Sequence, residues 1–335
     1  MDPGFGGTAG EEHVITLDGI VDAAYQAHAR IHQRIRQTPL EMLGDPADTD
    51  RAFAKCENLQ LTGSFKVRGA MSALSAAADH GIERVIAAST GNHGAAVAFA
   101  GHSLDIDVTV YSPVAVDPSK LAAMRRWGAS VELVAGDPVL AETTARAAAT
   151  ADHPYISPYN DAAVIAGQAT IGVELLQQLP RVDTLVASVG GGGLISGIAA
   201  VLKASNPDVH VVGVSPANSA VMLRSVAAGA ILDIESAPTL SDGTAGGGEP
   251  GSITFELCRG LVDTWLEVDE PAIRRALSRY IGTYHQLIEG AAAVTLAGLN
   301  DPATREIGGG TTVAILCGAN IAPSTLRSVL DPAPG

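Results

Sequence analysis

The chain is poor in aromatic side chains, in charge and in cysteine, and each shortage removes a class of function. Aromatics make up 4% of the 335 residues, too few for the exposed stacking platforms that read single-stranded nucleic acids. Charged residues are only 17%, and they divide into 21 basic against 36 acidic, a net charge of −15. A phosphate backbone repels such a chain unless its few cations cluster. The pairs Arg125–Arg126 and Arg274–Arg275 are the nearest approach to a cluster. Pairs of this kind usually lie on solvated helix faces, so nucleic acid is not expected as a partner. Three cysteines, Cys56, Cys258 and Cys317, are odd in number and widely spaced. They form neither a CxxC pair nor a disulfide framework, which fits a reducing, cytoplasmic setting. The first residues, MDPGFGGTAGEEH, have no basic n-region and no apolar h-region; they read as a flexible lead-in and not as a secretory signal.

Apolar residues are what the chain has in quantity. At 47% hydrophobic it can bury a sizeable core, and its length suggests two domains or one large α/β unit with a subdomain. The uncharged run from Thr184 to Leu202 is long enough to span a bilayer. Its centre, however, is Gly190-Gly191-Gly192-Gly193, which would break a membrane helix by backbone entropy. A strand, a glycine loop and a helix explain the run better, so a soluble protein with no membrane partner is expected.

From about Ala52 onward, β-rich runs alternate with helical ones. Strand candidates are 84–89, 108–112, 131–135, 184–189, 209–215 and 311–317; helical stretches are 64–78, 118–127, 140–149, 167–178, 194–204 and 272–284. Strands alternating with helices of this length imply an α/β fold with parallel sheets and right-handed crossovers. In such sheets ligands bind beyond the carboxyl ends of the strands.

Four segments could carry chemistry. Lys66, in Gly63-Ser64-Phe65-Lys66-Val67-Arg68-Gly69-Ala70, stands at the head of a helix with small residues around it. A lysine there is ordinarily a solvated surface residue. Near a helix N-terminus and other cations it can also lose its proton, as a Schiff-base nucleophile must. The tetraglycine loop exposes successive backbone N–H groups ahead of a helix, a phosphate cradle that matches neither a P-loop nor a GxGxxG pattern; the plain alternative is a tight turn. The turn Ser89-Thr90-Gly91-Asn92-His93-Gly94 gathers short hydrogen-bonding groups at another helix N-terminus, suited to a carboxylate or a phenolate-like oxygen, or serving only as an N-cap. Cys317, near the end of a strand, is either a buried small hydrophobe or a site residue.

In this order, the lysine segment, the asparagine turn, the tetraglycine loop and the strand-end cysteine resemble the fold-type II pyridoxal-phosphate (PLP) enzymes, the tryptophan-synthase-β class. Within it the chain is similar to the threonine/serine dehydratase and serine racemase family, from about Thr38 to Asn320. Pro118-Ser119-Lys120, Arg126-Trp127-Gly128-Ala129, Val164-Ile165-Ala166-Gly167-Gln168, Asp242-Gly243 and Glu289-Gly290-Ala291 add to the likeness. The resemblance implies PLP as cofactor and a two-domain α/β architecture with open, twisted, mostly parallel sheets flanked by helices. Residues 1–69 and 156–335 would form the large PLP-binding domain and 70–155 a small substrate-loop domain. Lys66 would carry the cofactor covalently and act as base, with Phe65 packed beside it and Asn92 on the ring hydroxyl. Gly190, Gly191, Gly192, Gly193 and the Leu194 amide would hold the phosphate, and Cys317 would face the pyridine nitrogen. Ser89, Thr90, Gly91, Asn92 and His93 would receive the substrate carboxylate. A neutral Cys317 would leave the cofactor a weaker electron sink and favour β-elimination over a long-lived carbanion.

The departures narrow the expectation. Racemases of the family carry a second base, a serine, where this chain has Thr90, whose β-methyl crowds the site; racemase activity therefore ranks second to ammonia-lyase activity on a β-hydroxy amino acid. The acidic pair of the family's cation site is replaced by Ser215 and Val221, so no metal is expected. The short stretch after Asn320 leaves no room for the regulatory domain of biosynthetic threonine deaminases. Members are commonly homodimers. A degenerate PLP-binding partner subunit is a further alternative, against which the retention of Lys66, Asn92 and all four glycines argues.

Overall fold

A computed structural model describes residues 16–44, 51–246, 248–307 and 310–331; the N-terminal lead-in, residues 1–13, lies outside them. Strands β1 (Leu40–Leu43), β2 (Arg51–Lys55), β6 (Thr184–Ser188), β7 (His210–Pro216), β8 (Thr264–Val268) and β9 (Thr311–Ile315) form one sheet in the order β1-β2-β9-β6-β7-β8. A second sheet has the order β3-β4-β5, from Arg84–Ala88, Asp107–Pro113 and Ser130–Val134. Every pairing is parallel except β1 with β2. The six strands expected from the sequence are present, and the α/β class holds. β6 is buried at every position, and a parallel strand covered on both faces reads as the continuous apolar run that marked it.

Three strands had no clear signature. β1 and β8 are the edges of their sheet and only partly buried. β2 reads Arg-Ala-Phe-Ala-Lys, with charges at both ends.

The helices that place the site are α1 (Leu17–Ile31), α2 (Lys66–Asp79), α3 (Asn92–Leu104), α4 (Pro118–Arg125), α5 (Pro138–Ala148), α6 (Ala162–Gln178) and α7 (Gly193–Ser205). α4, α5 and α6 start at Asp117, Asp137 and Asp161, whose carboxylates accept from backbone N–H groups of the first turn; such caps contribute about 1 kcal/mol each. The Asp161 cap starts α6 five residues before the stretch read from its apolar pattern. α2 and α6 cross so closely that a Cβ on Gly167 would lie 2.5 Å from the Arg68 carbonyl oxygen. Only glycine permits that approach, and it sets the height of the helix that begins with Lys66.

Beneath Lys66 lies a buried quartet of charges. The Arg68 guanidinium donates to Glu57 at 2.7 and 2.8 Å and to Glu174 at 2.7 and 2.9 Å. The Lys55 ammonium donates to Glu174 at 2.5 Å, and Thr38 Oγ1 to Glu57 at 2.5 Å. All four charged side chains are buried. Two cations matched to two anions, with further donors on their oxygens, keep the desolvation cost of burial compensated. The quartet ties β2, α2 and α6 together behind the cleft. No helix among the described residues is long and apolar enough to cross a membrane.

Candidate active site

The parallel register brings the carboxyl ends of β2, β9 and β6 level, so the loops that follow them converge. Those loops carry Phe65 and Lys66, Leu316 to Asn320, and the tetraglycine loop. The turn after β3 faces them from the second sheet. Phe65, Lys66, Asn92, the four glycines, Leu194 and Cys317 line one narrow slot of about 50 Å³. The slot opens into a cleft of about 250 Å³ bordered by Ser89, Thr90, Gly91 and His93. The residues singled out in the sequence thus come together in one place.

Lys66 donates from Nζ to the Pro158 carbonyl oxygen at 2.8 Å. Burial of the ammonium lowers its pKa to about 8, with the Glu289 carboxylate pulling in the other direction. A sizeable fraction of this amine is therefore uncharged near neutral pH.

In the glycine loop, the amides from Gly190 to Leu194 donate to no backbone or side-chain acceptor among the described residues. Gly192 adopts φ +86° to turn the chain into α7, which places these donors at the positive end of the helix dipole. A Cβ on Gly191 would run into the Tyr159 ring. Glycine is required there by packing, which the plain-turn reading does not supply.

Cys317 is buried, accepts from Ser188 Oγ at 3.7 Å, and lies 4.0 Å from Glu289 Oε1. Burial pushes its thiol pKa upward, and the negative Glu289 pushes it the same way. The group is neutral.

Asn92 is held from both sides. Its Nδ2 donates to the Glu289 carboxylate at 2.9 and 3.1 Å, and its Oδ1 accepts from Asn320 Nδ2 at 2.7 Å. Asn320 N donates to Glu289 Oε2 at 2.9 Å. Burial raises the Glu289 pKa to about 7, with the Asn92 hydrogen bond opposing it. His93 is buried and donates Nε2–H to the Ile156 carbonyl oxygen at 2.9 Å; a carbonyl can only accept, so that nitrogen carries the proton. Burial and the nearby Lys66 drive its pKa down to about 3. Its ring is neutral with its one proton committed, so the anion-binding capacity of the turn rests on backbone N–H groups at the head of α3. Thr90 is exposed at the cleft wall. At the cleft mouth the Lys120 ammonium is paired with the Asp242 carboxylate.

The profile of the family described as "Pyridoxal-phosphate dependent enzyme" matches residues 31–318. The chain belongs to that family. An L-threonine ammonia-lyase of Geobacter sulfurreducens is 36% identical to it over 317 residues, covering 91% of this chain and 77% of that protein. The catabolic L-threonine dehydratase of Escherichia coli K12 is 35% identical over 320 residues, 94% of this chain and 96% of its own. Among solved structures, a threonine deaminase from T.th. aligns with TM-score 0.83 and 34% identity over 90% of this chain and 98% of that one. Maize serine racemase aligns with TM-score 0.84 and 29% identity, over 92% and 95%.

The residues of this PLP-dependent enzyme fit the cofactor. Unsatisfied amides at a helix N-terminus suit its phosphate, a lysine of lowered pKa suits covalent attachment, and a neutral thiol suits a ring nitrogen. Four contributors were not singled out as site residues from the sequence: Glu289, Tyr159, Lys120 and Asp242. Three of them stand in segments that carried the family resemblance, which was the available signal; Tyr159 had none. Ser215 is buried and donates to the Val189 carbonyl oxygen at 3.4 Å, and Val221 is buried at the start of a helix. Among the described residues no three His, Cys, Asp or Glu gather to hold a metal ion.

Proposed function

We propose that this chain is an ammonia-lyase that dehydrates L-threonine, L-serine or a related β-hydroxy amino acid to a 2-oxo acid and ammonia. The observation that carries the reading is the placement of a partly uncharged lysine amine between two sets of free backbone N–H groups, those of the glycine loop and those at the head of α3. When bound, PLP withdraws electrons from the substrate α-carbon and acidifies its proton. Lys66 takes that proton as general base. The amides at the head of α3, from Asn92 to Gly94, hold the substrate carboxylate, Asn92 faces the ring hydroxyl, and the 190–194 amides hold the phosphate. Neutral Cys317 keeps the electron withdrawal weak, which favours prompt loss of the β-hydroxyl. The names of the relatives from Geobacter sulfurreducens and Escherichia coli support the same substrate class.

The reading includes a cytoplasmic homodimer and two lobes, residues 1–69 with 156–335 and residues 70–155, closing on the substrate to exclude water. Two separate hydrophobic clusters support the lobes, the smaller lying mostly between Val67 and Ala129. The test is one assay of purified enzyme with L-threonine and L-serine that measures 2-oxo acid, ammonia and enantiomer together. Stoichiometric 2-oxo acid and ammonia, lost in Lys66→Ala, are expected. D-serine formed faster than pyruvate would make the chain a racemase, and no turnover of any substrate would make it a degenerate partner subunit.

A further inference from the structure

The ammonia-lyase reading leaves open which β-substituent the cleft is shaped for, and the wall that no reacting group occupies bears on it. Two sides of the cleft are already assigned. Lys66 marks where the substrate amine enters, and the N–H groups at the head of α3 mark its carboxylate. The wall left for the side chain is the first turn of α5, with Pro138, Val139 and Ala141, together with Pro113, Tyr159 and Ala245. That turn is anchored, because Asp137 accepts from Leu140 N at 2.8 Å. Val139 nevertheless is 69% exposed. A branched apolar side chain on a fixed turn, lining a cleft and open to water, is surface that an apolar ligand group would cover.

The charges of the cleft point the same way. Its cationic lining, among the described residues, is Lys66 and Lys120 alone, and Lys120 is engaged by Asp242. Glu142, Asp242 and Glu289 line it as well. Arg146, the cation that Glu142 meets at 2.9 Å, is shared with Glu249 at 2.8 Å and does not reach the cleft. A second carboxylate on the substrate would meet acidic lining groups and, beyond Lys66, whose place is taken by the reacting amine, no cation that is not already paired.

We infer that the cleft selects β-hydroxy amino acids whose β-carbon carries an uncharged apolar group larger than the methyl of threonine, with Val139 as the specificity-determining residue. Acidic side chains are rejected. The inference rests on the proposed function for its chemistry, but its side-chain preference is a matter of binding and can be read without turnover.

Amino acids that lack the β-hydroxyl bind without eliminating, so the holoenzyme is titrated with L-alanine, L-norvaline and L-aspartate, and the change in cofactor absorbance gives each Kd. Norvaline, two methylenes longer than alanine, binds at least tenfold tighter, since each methylene in an apolar pocket is worth about tenfold or more, and aspartate binds at least tenfold weaker than alanine. In Val139→Asp the norvaline-to-alanine preference falls about tenfold; the position is exposed, so folding is not at stake. In the turnover assay, 3-hydroxynorvaline matches or exceeds threonine in kcat/KM. The inference is overturned if aspartate binds as tightly as norvaline, or if Val139→Asp leaves the preference unchanged. Should the binding order hold while no β-hydroxy amino acid yields a 2-oxo acid, the side-chain preference stands and the ammonia-lyase reading is the one that fails.

Discussion

Removing the cofactor and returning it over a range of pH reads the protonation state of Lys66 directly. Only the uncharged amine attacks the cofactor aldehyde, so the rate of covalent attachment follows its fraction. Burial lowers the Lys66 pKa from the ordinary 10.5 to about 8. At pH 7.5 an ordinary lysine has about one amine in a thousand uncharged, and a group at about 8 has roughly one in four, a gain of about 200-fold. The attachment rate should therefore climb about tenfold per pH unit below the midpoint and level off a little above pH 8. Stopped-flow absorbance at the bound-cofactor band measures it, with Lys66→Arg as the control that cannot attach. Glu289 supplies a second check. Its negative charge raises the Lys66 pKa, so Glu289→Gln should move the midpoint lower. A rate still climbing tenfold per unit between pH 9 and 10 would show that the amine is solvated and would refute the reasoning.

Two other substitutions follow from the packing. Gly191→Ala places a methyl closer than 3.0 Å to three atoms of the Tyr159 ring, so the loop must shift; equilibrium dialysis should show PLP affinity falling by about tenfold or more, with the fold retained by circular dichroism. Arg68→Met leaves Glu57 and Glu174 buried with Lys55 as their remaining cation, which should cost about 3–5 kcal/mol and lower the melting temperature by roughly 10 °C. The sign of its pH dependence is fixed: Arg68 is among the groups that hold the Glu174 pKa below its ordinary value, so this stabilisation is present above the unfolded pKa and lost as pH falls through the folded one. The gap between wild type and variant should narrow on acidification through pH 4.

What could be read in the sequence was what the backbone demands locally. Four consecutive glycines or an unbroken apolar run such as Thr184–Ser188 follows from the conformation of its own segment. The pairing of residues far apart in the chain has no such trace. β2 ends on Lys55, a residue that argues against a buried strand until its partner Glu174 is seen 119 positions later. Glu289 acts on Asn92 across 197 positions, and Lys120 meets Asp242 across 122. The site was legible as a set of anchoring motifs, while the groups that orient Asn92 and pair at the cleft mouth became visible only when distant loops were brought together.

The proposed phosphate site would also explain how so acidic a chain accommodates a polyanion. A phosphate ester carries about −1.5 to −2 charges at neutral pH, and the chain itself has a net charge of −15. The usual remedy is a cluster of arginines, and among the described residues no arginine lines this slot. In the proposed site the load would fall instead on amide dipoles from Gly190 to Leu194 and on the macrodipole of α7, which together would act as a fixed partial positive charge without any titratable group. Dipoles of this kind are oriented by the fold itself, here by the positive φ of Gly192 and the packing of Tyr159 on Gly191, so they need no counter-ion. The same economy of charge constrains the substrate. With the phosphate and carboxylate ends both assigned to backbone N–H groups, the described lining would offer a third anionic group no cation beyond Lys66 and the paired Lys120, and discrimination among side chains would be left to the apolar wall of α5.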